Sequence, residues 1–346
     1  MEQYISLPTQ DYMVVIKCYT YNHESYIEDA LKGFVMQKTD FPFCAIVVDD
    51  CSTDSTADII RKYENDYPNI IKGVYLNENY HSQHKPKLPL IQPWFDRAKY
   101  TALCEGDDYW IDPVKLQKQV DYMENHSDCT MTCSRTKLYS IRKNRFVSEQ
   151  YCKKGDGVLN VKDVIYRQGL YISTCSVVYK SDIKSDYPVY CGKCLIGDYP
   201  LQIYAAIKGN IYYFDDVMSV YRVENNNSWM GKQASLRGTI DEKRLVIMDS
   251  TIDMLVGFSN DYPSYKELFY NKICEYINRG VPYRKKSSRS DVILYIEHYK
   301  SFINQYNMFW KLDLLIRRCR IPGFRSLYTR LFTKRFFEKR KAICFA

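Results

Sequence analysis

Short apolar runs separated by helix-length amphipathic segments fill the first hundred residues of this chain, and that alternation leaves few folds open. Met13-Val14-Val15-Ile16, Ala45-Ile46-Val47-Val48, Ile71-Lys72-Gly73-Val74-Tyr75-Leu76 and Thr101-Ala102-Leu103 read as four strands. After the first, Ser25 and Glu28 have capping-box spacing, and Ile27, Ala30, Leu31, Phe34 and Val35 recur on one helical face. After the second, Ile59, Ile60 and Tyr63 mark another helix. Strands alternating with helices imply a mostly parallel sheet covered on both faces. With 346 residues, 46% of them hydrophobic, the chain can bury one large core or two modest ones.

Two of these strands run into acid groups. Val48 is followed by Asp49-Asp50-Cys51-Ser52-Thr53-Asp54, and Leu103 by Cys104-Glu105-Gly106-Asp107-Asp108-Tyr109-Trp110. The carboxyl edge of an open α/β sheet is where ligands bind. Packed carboxylates repel unless a cation or a donor-rich ligand offsets them, so the second cluster reads as a place for a divalent metal and a group it bridges. The plainer alternative is acidic loops that start helices. Asp112-Pro113 forms an N-cap and N1 pair before Leu116, Val120 and Met123, and an Asx turn is available at Asp49 to Asp54. Neither GxGxxG nor GxxxxGK[ST] is present, so a phosphate would be held by a metal and not by a glycine-rich loop.

Charge and cysteine usage narrow the class further. Residues 281–346 carry sixteen Lys and Arg against four Asp and Glu, a net +12; the whole chain is +8, which leaves −4 for residues 1–280. Basic character confined to the tail argues against a nucleic-acid enzyme, whose active groove would be basic. Thirteen cysteines without a framework suit a reducing compartment and small core positions, and Cys191-x-x-Cys194 has no second zinc-ligand pair. No apolar run reaches about 18 residues, and Met1-Glu2-Gln3-Tyr4 opens no signal peptide, so the expectation is a cytoplasmic protein. His23, His81 and His84 share no metal-ligand spacing and read as loop or surface residues. Tyr80 to Pro93 is polar and interrupted by proline, the composition of a mobile loop.

At this point the chain resembles a family. Val14-Val15-Ile16 with Tyr19-Thr20-Tyr21-Asn22-His23, Val48-Asp49-Asp50-Cys51-Ser52-Thr53-Asp54, Glu105-Gly106-Asp107-Asp108-Tyr109-Trp110 and Asp112-Pro113-x-Lys115-Leu116-Gln117 resemble, in order and spacing, the family 2 glycosyltransferases of the GT-A fold. The resemblance covers roughly residues 10–225. It implies an α/β GT-A domain over residues 1–230 and a helical region with a basic tail over 231–346. Thr20, Tyr21, Asn22, Asp49, Asp50, Glu105 and Gly106 match positions that hold a nucleotide. Asp107 matches the metal-binding end of a DxD element, with Glu105 where its first aspartate usually stands and Mn²⁺ or Mg²⁺ as the implied cofactor. Asp108, Trp110 and Arg222 are implied to contact substrate.

Asp198 opens a helix in Gly197-Asp198-Tyr199-Pro200-Leu201, and from the residues alone it reads as an N-cap. The resemblance implies instead that it is the catalytic base. Ile211 to Arg222 alternates like paired strands; Glu224 and Asn225 stand where the family often has a histidine, Arg222 reads equally as a structural ion pair, and Trp229 is a candidate for an acceptor lid.

In the tail, Leu327, Tyr328, Leu331, Phe332, Phe336 and Phe337 form an apolar stripe among Arg325, Arg330, Lys334, Arg335, Lys339, Arg340 and Lys341. Such a helix suits an anionic membrane surface, which would make the protein peripheral on the inner face, or packs on the catalytic domain. The expected function is metal-dependent, inverting transfer of a sugar from a nucleotide-diphosphate donor, UDP first, to a glycan or lipid-linked acceptor. The rivals are a non-catalytic membrane-surface binding protein and a sugar-nucleotide pyrophosphorylase. The second needs a Gly- and Arg-rich loop that Val14 to Asn22 lacks.

Overall fold

The computed structural model describes residues 11–83, 85–167, 171–224 and 242–287. Along the chain run β1 (Tyr12–Thr20), α1 (Ile27–Val35), β2 (Phe43–Asp49), α2 (Thr56–Asp66), β3 (Ile71–Tyr75), α3 (Leu88–Phe95), β4 (Ala98–Leu103), β5 (Tyr109–Trp110), α4 (Lys115–Asn125), β6 (Cys129–Ser140), β7 (Arg145–Gln150), β8 (Gly157–Val158), α5 (Val161–Arg167), β9 (Val178–Lys180), α6 (Val189–Lys193), α7 (Asp198–Lys208) and β10 (Asn210–Val223). Helices Glu242–Asp261 and Lys266–Ser287 follow.

The strands form one sheet in the order β3-β2-β1-β4-β9-β6-β10-β5, with β7 paired to β6 and β8 to β10. β1, β2, β3 and β4 pair in parallel. β9 is antiparallel to both β4 and β6, which turns β6 and its parallel partner β10 back into the direction of β1. β1, β2, β3, β4, β6 and β10 therefore present their carboxyl ends at one edge.

At β1 and β2 the sheet is buried on both faces, which is why these strands hold near-continuous apolar runs. Val14, Ile16 and Cys18 of β1 with Ala45 and Val47 of β2 pack under Leu31 and Phe34 of α1, Ile60 of α2 and Leu116, Val120 and Met123 of α4. On the other face Val15, Ile46, Val48 and Val74 pack under Ile91, Trp94 and Phe95 of α3. Ten of the eleven described cysteines are buried and none is in a disulfide, as small core residues would be.

Four local expectations are revised. Ser25 caps nothing: α1 starts from Tyr26, whose N–H, like that of Ile27, donates to the His23 carbonyl, and Glu28 faces Lys32 and the Tyr63 hydroxyl. Asp112 does not cap α4, which starts two residues later than Pro113 predicts; its Oδ1 accepts from Val114 N–H at 2.9 Å in an Asx turn. Asn210–Val223 is one bulged strand rather than a pair, because Asp215 and Asp216 sit at a register shift between Phe214 and Val217 and β6 lies alongside throughout. The second half of Tyr80 to Pro93 is helical, since Pro89 occupies the first turn of α3, where no N–H is needed.

The described residues fall into two compact units. The first runs to Pro188 and resumes at Gly197; the second takes Val189–Ile196 with the two helices after β10. Within the second, the Tyr190 ring meets Phe258 edge-on at 5.2 Å, its hydroxyl donates to Asp261 at 2.8 Å, and Phe258 stacks on Phe269 at 5.5 Å. The expected boundary at 230/231, Trp229 and the basic tail lie outside the described residues.

Candidate active site at the carboxyl edge of the sheet

Three of the sequence clusters meet at neighbouring strand ends. Thr20 pairs with Asp49 in the β1–β2 register, and the Asp50 N–H donates to the Thr20 carbonyl at 2.9 Å. On the other side of β1, Cys104 N–H donates to Lys17 O and Gly106 N–H to Tyr19 O, at 3.2 and 2.9 Å. The acid loop after β4 is thus zipped to the end of β1, and the two acid clusters flank it.

The nucleotide-side residues divide into spent and open groups. Asp49 is buried and starts the Asx turn, accepting from the Ser52 N–H at 3.1 Å and the Ser52 hydroxyl at 2.5 Å; burial nonetheless raises its pKa. Asp50, 1% exposed, accepts from Tyr80 N–H at 2.8 Å, His81 N–H at 3.1 Å and Lys87 Nζ at 2.8 Å, tying the loop after β3 to the site. Asn22, at φ 54°, donates its N–H to Ser52 Oγ and accepts from Thr53 N–H, so it locks one loop to the other. Tyr21 is 39% exposed at the rim. Thr20 Oγ1 is buried and unpartnered, and so is Nδ1 of His23.

Those two orphaned atoms face the same backbone. A Cβ added to Gly106 would lie 2.7 Å from Thr20 Oγ1 and 3.0 Å from His23 Nδ1. Burial also pulls the His23 pKa below 6.5, which leaves a neutral ring at pH 7 despite nearby Asp107, Asp54 and Asp49. The sequence reading made His23 a loop or surface residue; it is a half-buried loop residue, and the lack of metal-ligand spacing said nothing about where its ring goes. Gly106→Ala should therefore lower both melting temperature and nucleotide affinity. The methyl overpacks the loop by about 1–3 kcal/mol. Thermal unfolding and nucleotide titration of the one variant check both effects.

The acid loop splits by role. Glu105 Oε2 accepts from Tyr19 N–H at 3.1 Å, and burial pushes its pKa up to about 7 against the pull of Lys17. Asp108 is 2% exposed and accepts from Arg222 N–H at 2.9 Å, with burial and Asp107 raising its pKa well above the usual range. Trp110 is a core side chain: 2% exposed, edge-on to Phe34 at 5.1 Å, Nε1 donating to Cys175 O at 2.7 Å, with Lys115 Nζ 4.4 Å from the ring centre. Arg222 is also enclosed. Its guanidinium donates to the Asp107 carbonyl at 2.9 Å, pairs with Asp29, and lies 4.5 and 5.1 Å from the Tyr109 and Tyr26 rings. Asp108, Trp110 and Arg222, implied as substrate contacts, hold the loop that carries Asp107.

On β10 beside Arg222, Tyr221 lies in the electrostatic field of Asp108, Asp107 and Asp198, which together with burial raise its phenol pKa. Asp198 is the first residue of α7, entered from Gly197 with no side-chain cap bond. Its Oδ2 accepts from Thr174 Oγ1 at 3.2 Å, and burial raises its pKa above the usual carboxylate value. Thr174 and Tyr221 were not selected as site residues from sequence, since neither stands in an acid motif.

Among the described residues, no three His, Cys, Asp or Glu side chains converge as a metal cage. A hard cation that shares its oxygens with a diphosphate needs only one or two carboxylates. Asp107, with Glu105 two residues before it and the orphaned Thr20 hydroxyl beside Gly106, supplies oxygen donors of that kind.

The model of the family described as "Glycosyl transferase family 2" matches residues 14–181. Rv1520 of Mycobacterium tuberculosis is 33% identical over 215 residues, 61% of this chain and 58% of that protein. The chain therefore spans little more than half the length of such relatives. The poly(ribitol-phosphate) beta-N-acetylglucosaminyltransferase TarS of Staphylococcus aureus is 34% identical over 113 residues, 32% of this chain and 18% of that one. Among solved structures, the mannosyltransferase PcManGT from Pyrobaculum calidifontis, in complex with GDP-Man and Mn2+, has a TM-score of 0.49 and 14% identity, covering 91% of this chain and 89% of its own. The matched span runs from β1 through β9 and so contains both acid clusters and the parallel half of the sheet: this part of the chain matches the model of glycosyl transferase family 2.

Proposed function

We propose that the chain transfers a sugar from a nucleoside-diphosphate donor to a hydroxyl of a glycan or lipid-linked acceptor, with inversion. The observation that carries this reading is the convergence of Thr20, Asp50, Gly106 and Asp107 at one sheet edge.

Asp50 and the loop it pins would form the base and ribose side, where Lys87 and two backbone N–H groups already organise it. Thr20 and His23 offer the unpartnered polar atoms that a donor would satisfy. When bound, Mn²⁺ or Mg²⁺ on Asp107 supplies neutralisation of the charge that develops on the leaving diphosphate. Asp198 takes the acceptor hydroxyl's proton as the new oxygen–anomeric carbon bond forms. The old bond from that carbon to the diphosphate oxygen breaks, and its electron pair leaves with the nucleoside diphosphate. Burial, by raising the Asp198 pKa, makes its carboxylate a stronger base than an exposed one.

Release of nucleoside diphosphate from UDP-, dTDP- and GDP-sugars, with and without Mn²⁺, tests the proposal. The expected result is metal-stimulated release with sugars of one base. Release from none of them would count against sugar transfer and for a binding protein.

A further inference from the structure

We propose that the β6–β7 hairpin is a docking track for a polyanionic acceptor chain, a glycan or polyol polymer bearing repeated phosphate or carboxylate charges. This deepens the sugar-transfer reading and rests on it for the word acceptor.

The charge distribution is the first argument. Residues 141–154 carry five Lys and Arg and one Glu, a net +4, whereas residues 1–280 as a whole sum to −4. The remainder of that span is therefore −8. The cations are Arg142, Lys143, Arg145, Lys153 and Lys154, all on exposed positions. Within residues 1–280, an anionic chain meets a local excess of cations in a span whose remaining net charge is negative.

Topology places this face. β7 pairs with β6 from Ser140↔Arg145 to Thr136↔Gln150, and five of its six residues are exposed, the sixth half-buried. At about 3.4 Å per residue the strand makes a ribbon roughly 20 Å long, with one register shift where Leu138 pairs Ser148 and Tyr139 pairs Phe146. Its turn end lies at the carboxyl edge of the sheet. Tyr139 and Ser140 pair with Arg222 and Val223 of β10, and Arg142 meets Glu224 at 3.2 Å. Arg222 holds the Asp107 carbonyl, so the cationic turn adjoins the strand end that carries the site. A polymer laid along β7 would present its end or a side hydroxyl there.

The ribbon is also aromatic. Phe146 is 52% exposed, edge-on to Tyr139 at 5.3 Å, with Lys137 Nζ 5.5 Å from its ring centre. Tyr151 is 58% exposed, with the Arg135 guanidinium 5.6 Å from its ring centre. Exposed ring faces beside cations suit sugar or polyol carbons that alternate with anionic groups. Charged side chains also keep edge strands from pairing with one another. That use is served by either sign of charge and gains nothing from exposed rings. A membrane surface would favour apolar side chains aimed one way from the hairpin, whereas these two rings are braced by cations along its length.

The test compares the full chain with a Lys143→Glu, Arg145→Glu, Lys154→Glu triple variant, whose three sites are exposed and outside the donor site. The probes are oligogalacturonate, poly(glycerol phosphate) and phosphatidylglycerol vesicles, with nucleotide titration as a separate readout. Wild type should bind at least one of the two polymers in a salt-sensitive way, and the triple variant on the order of 10–100-fold more weakly, with nucleotide binding unchanged. Which polymer is bound distinguishes phosphate from carboxylate chemistry. Because both proteins keep the basic tail, the difference between them reads the hairpin. Equal polymer affinity in both, no polymer binding by wild type, or a charge-dependent loss confined to vesicles would each overturn the proposal. Charge-dependent polymer binding without nucleotide binding would leave the track standing and remove the sugar-transfer reading.

Discussion

Asp198→Asn should lower sugar transfer by about 10²–10⁴-fold while nucleotide binding and melting temperature remain those of the wild type. The amide keeps the size of the carboxyl and can still accept from Thr174 Oγ1, so the first turn of α7 has no reason to move. Only the ability to take a proton is lost. The wild-type rate should rise with pH through the Asp198 pKa, which burial holds above the usual carboxylate value, and the residual rate of the variant should lack that limb. Steady-state rates against pH for both proteins check this. A variant that keeps both its rate and the acid limb would assign the base elsewhere.

Arg222→Ala should be the most destabilising single change in the site, at about 2–3 kcal/mol. The partner Asp29 is nearly half exposed, so leaving it alone costs little. The larger loss is the guanidinium between Tyr26 and Tyr109 and its bond to the Asp107 carbonyl, a group that then lacks this donor. For a domain of this size that corresponds to roughly 5–10 °C in melting temperature. Nucleotide affinity should fall as well, because the loop carrying Asp107 loses its anchor to β10. Arg222→Lys should rescue little, since an ammonium cannot lie flat between two rings and also reach a carbonyl and a carboxylate. If the alanine variant melts with wild type, the guanidinium is not holding the loop.

Much of the fold was legible because it depends on periodicity. Residues 14–16 and 43–48 are buried throughout, and such stretches announce themselves as apolar runs. The acid clusters were legible too, because strand ends in a parallel sheet share an edge. What each acid does was not. Asp49 and Asp50 are adjacent in sequence, yet one closes a local turn and the other holds a loop thirty residues away. Asn22 reads as a nucleotide contact and is occupied by Ser52 and Thr53. The resemblance implies that Trp110 and Arg222 contact substrate; what it does not show is their structural partners, Cys175 at 65 residues and Asp29 at 193. Helix starts failed for a related reason. Ser25 and Asp112 have the right chemistry, but backbone turns at His23 and Asp112 shift each helix by one or two residues.

The central claim is that Asp107 lies in a donor site that a nucleotide and a divalent cation occupy together. Melting curves with UDP, dTDP and GDP, each with and without Mn²⁺, for wild type and Asp107→Ala, test it most directly. A ligand at about 100 times its Kd stabilises the native state by about 2.7 kcal/mol. The account predicts a rise of several degrees with one nucleotide, dependent on Mn²⁺ and absent in Asp107→Ala. No rise with any nucleotide, or an equal rise in the variant, would contradict it.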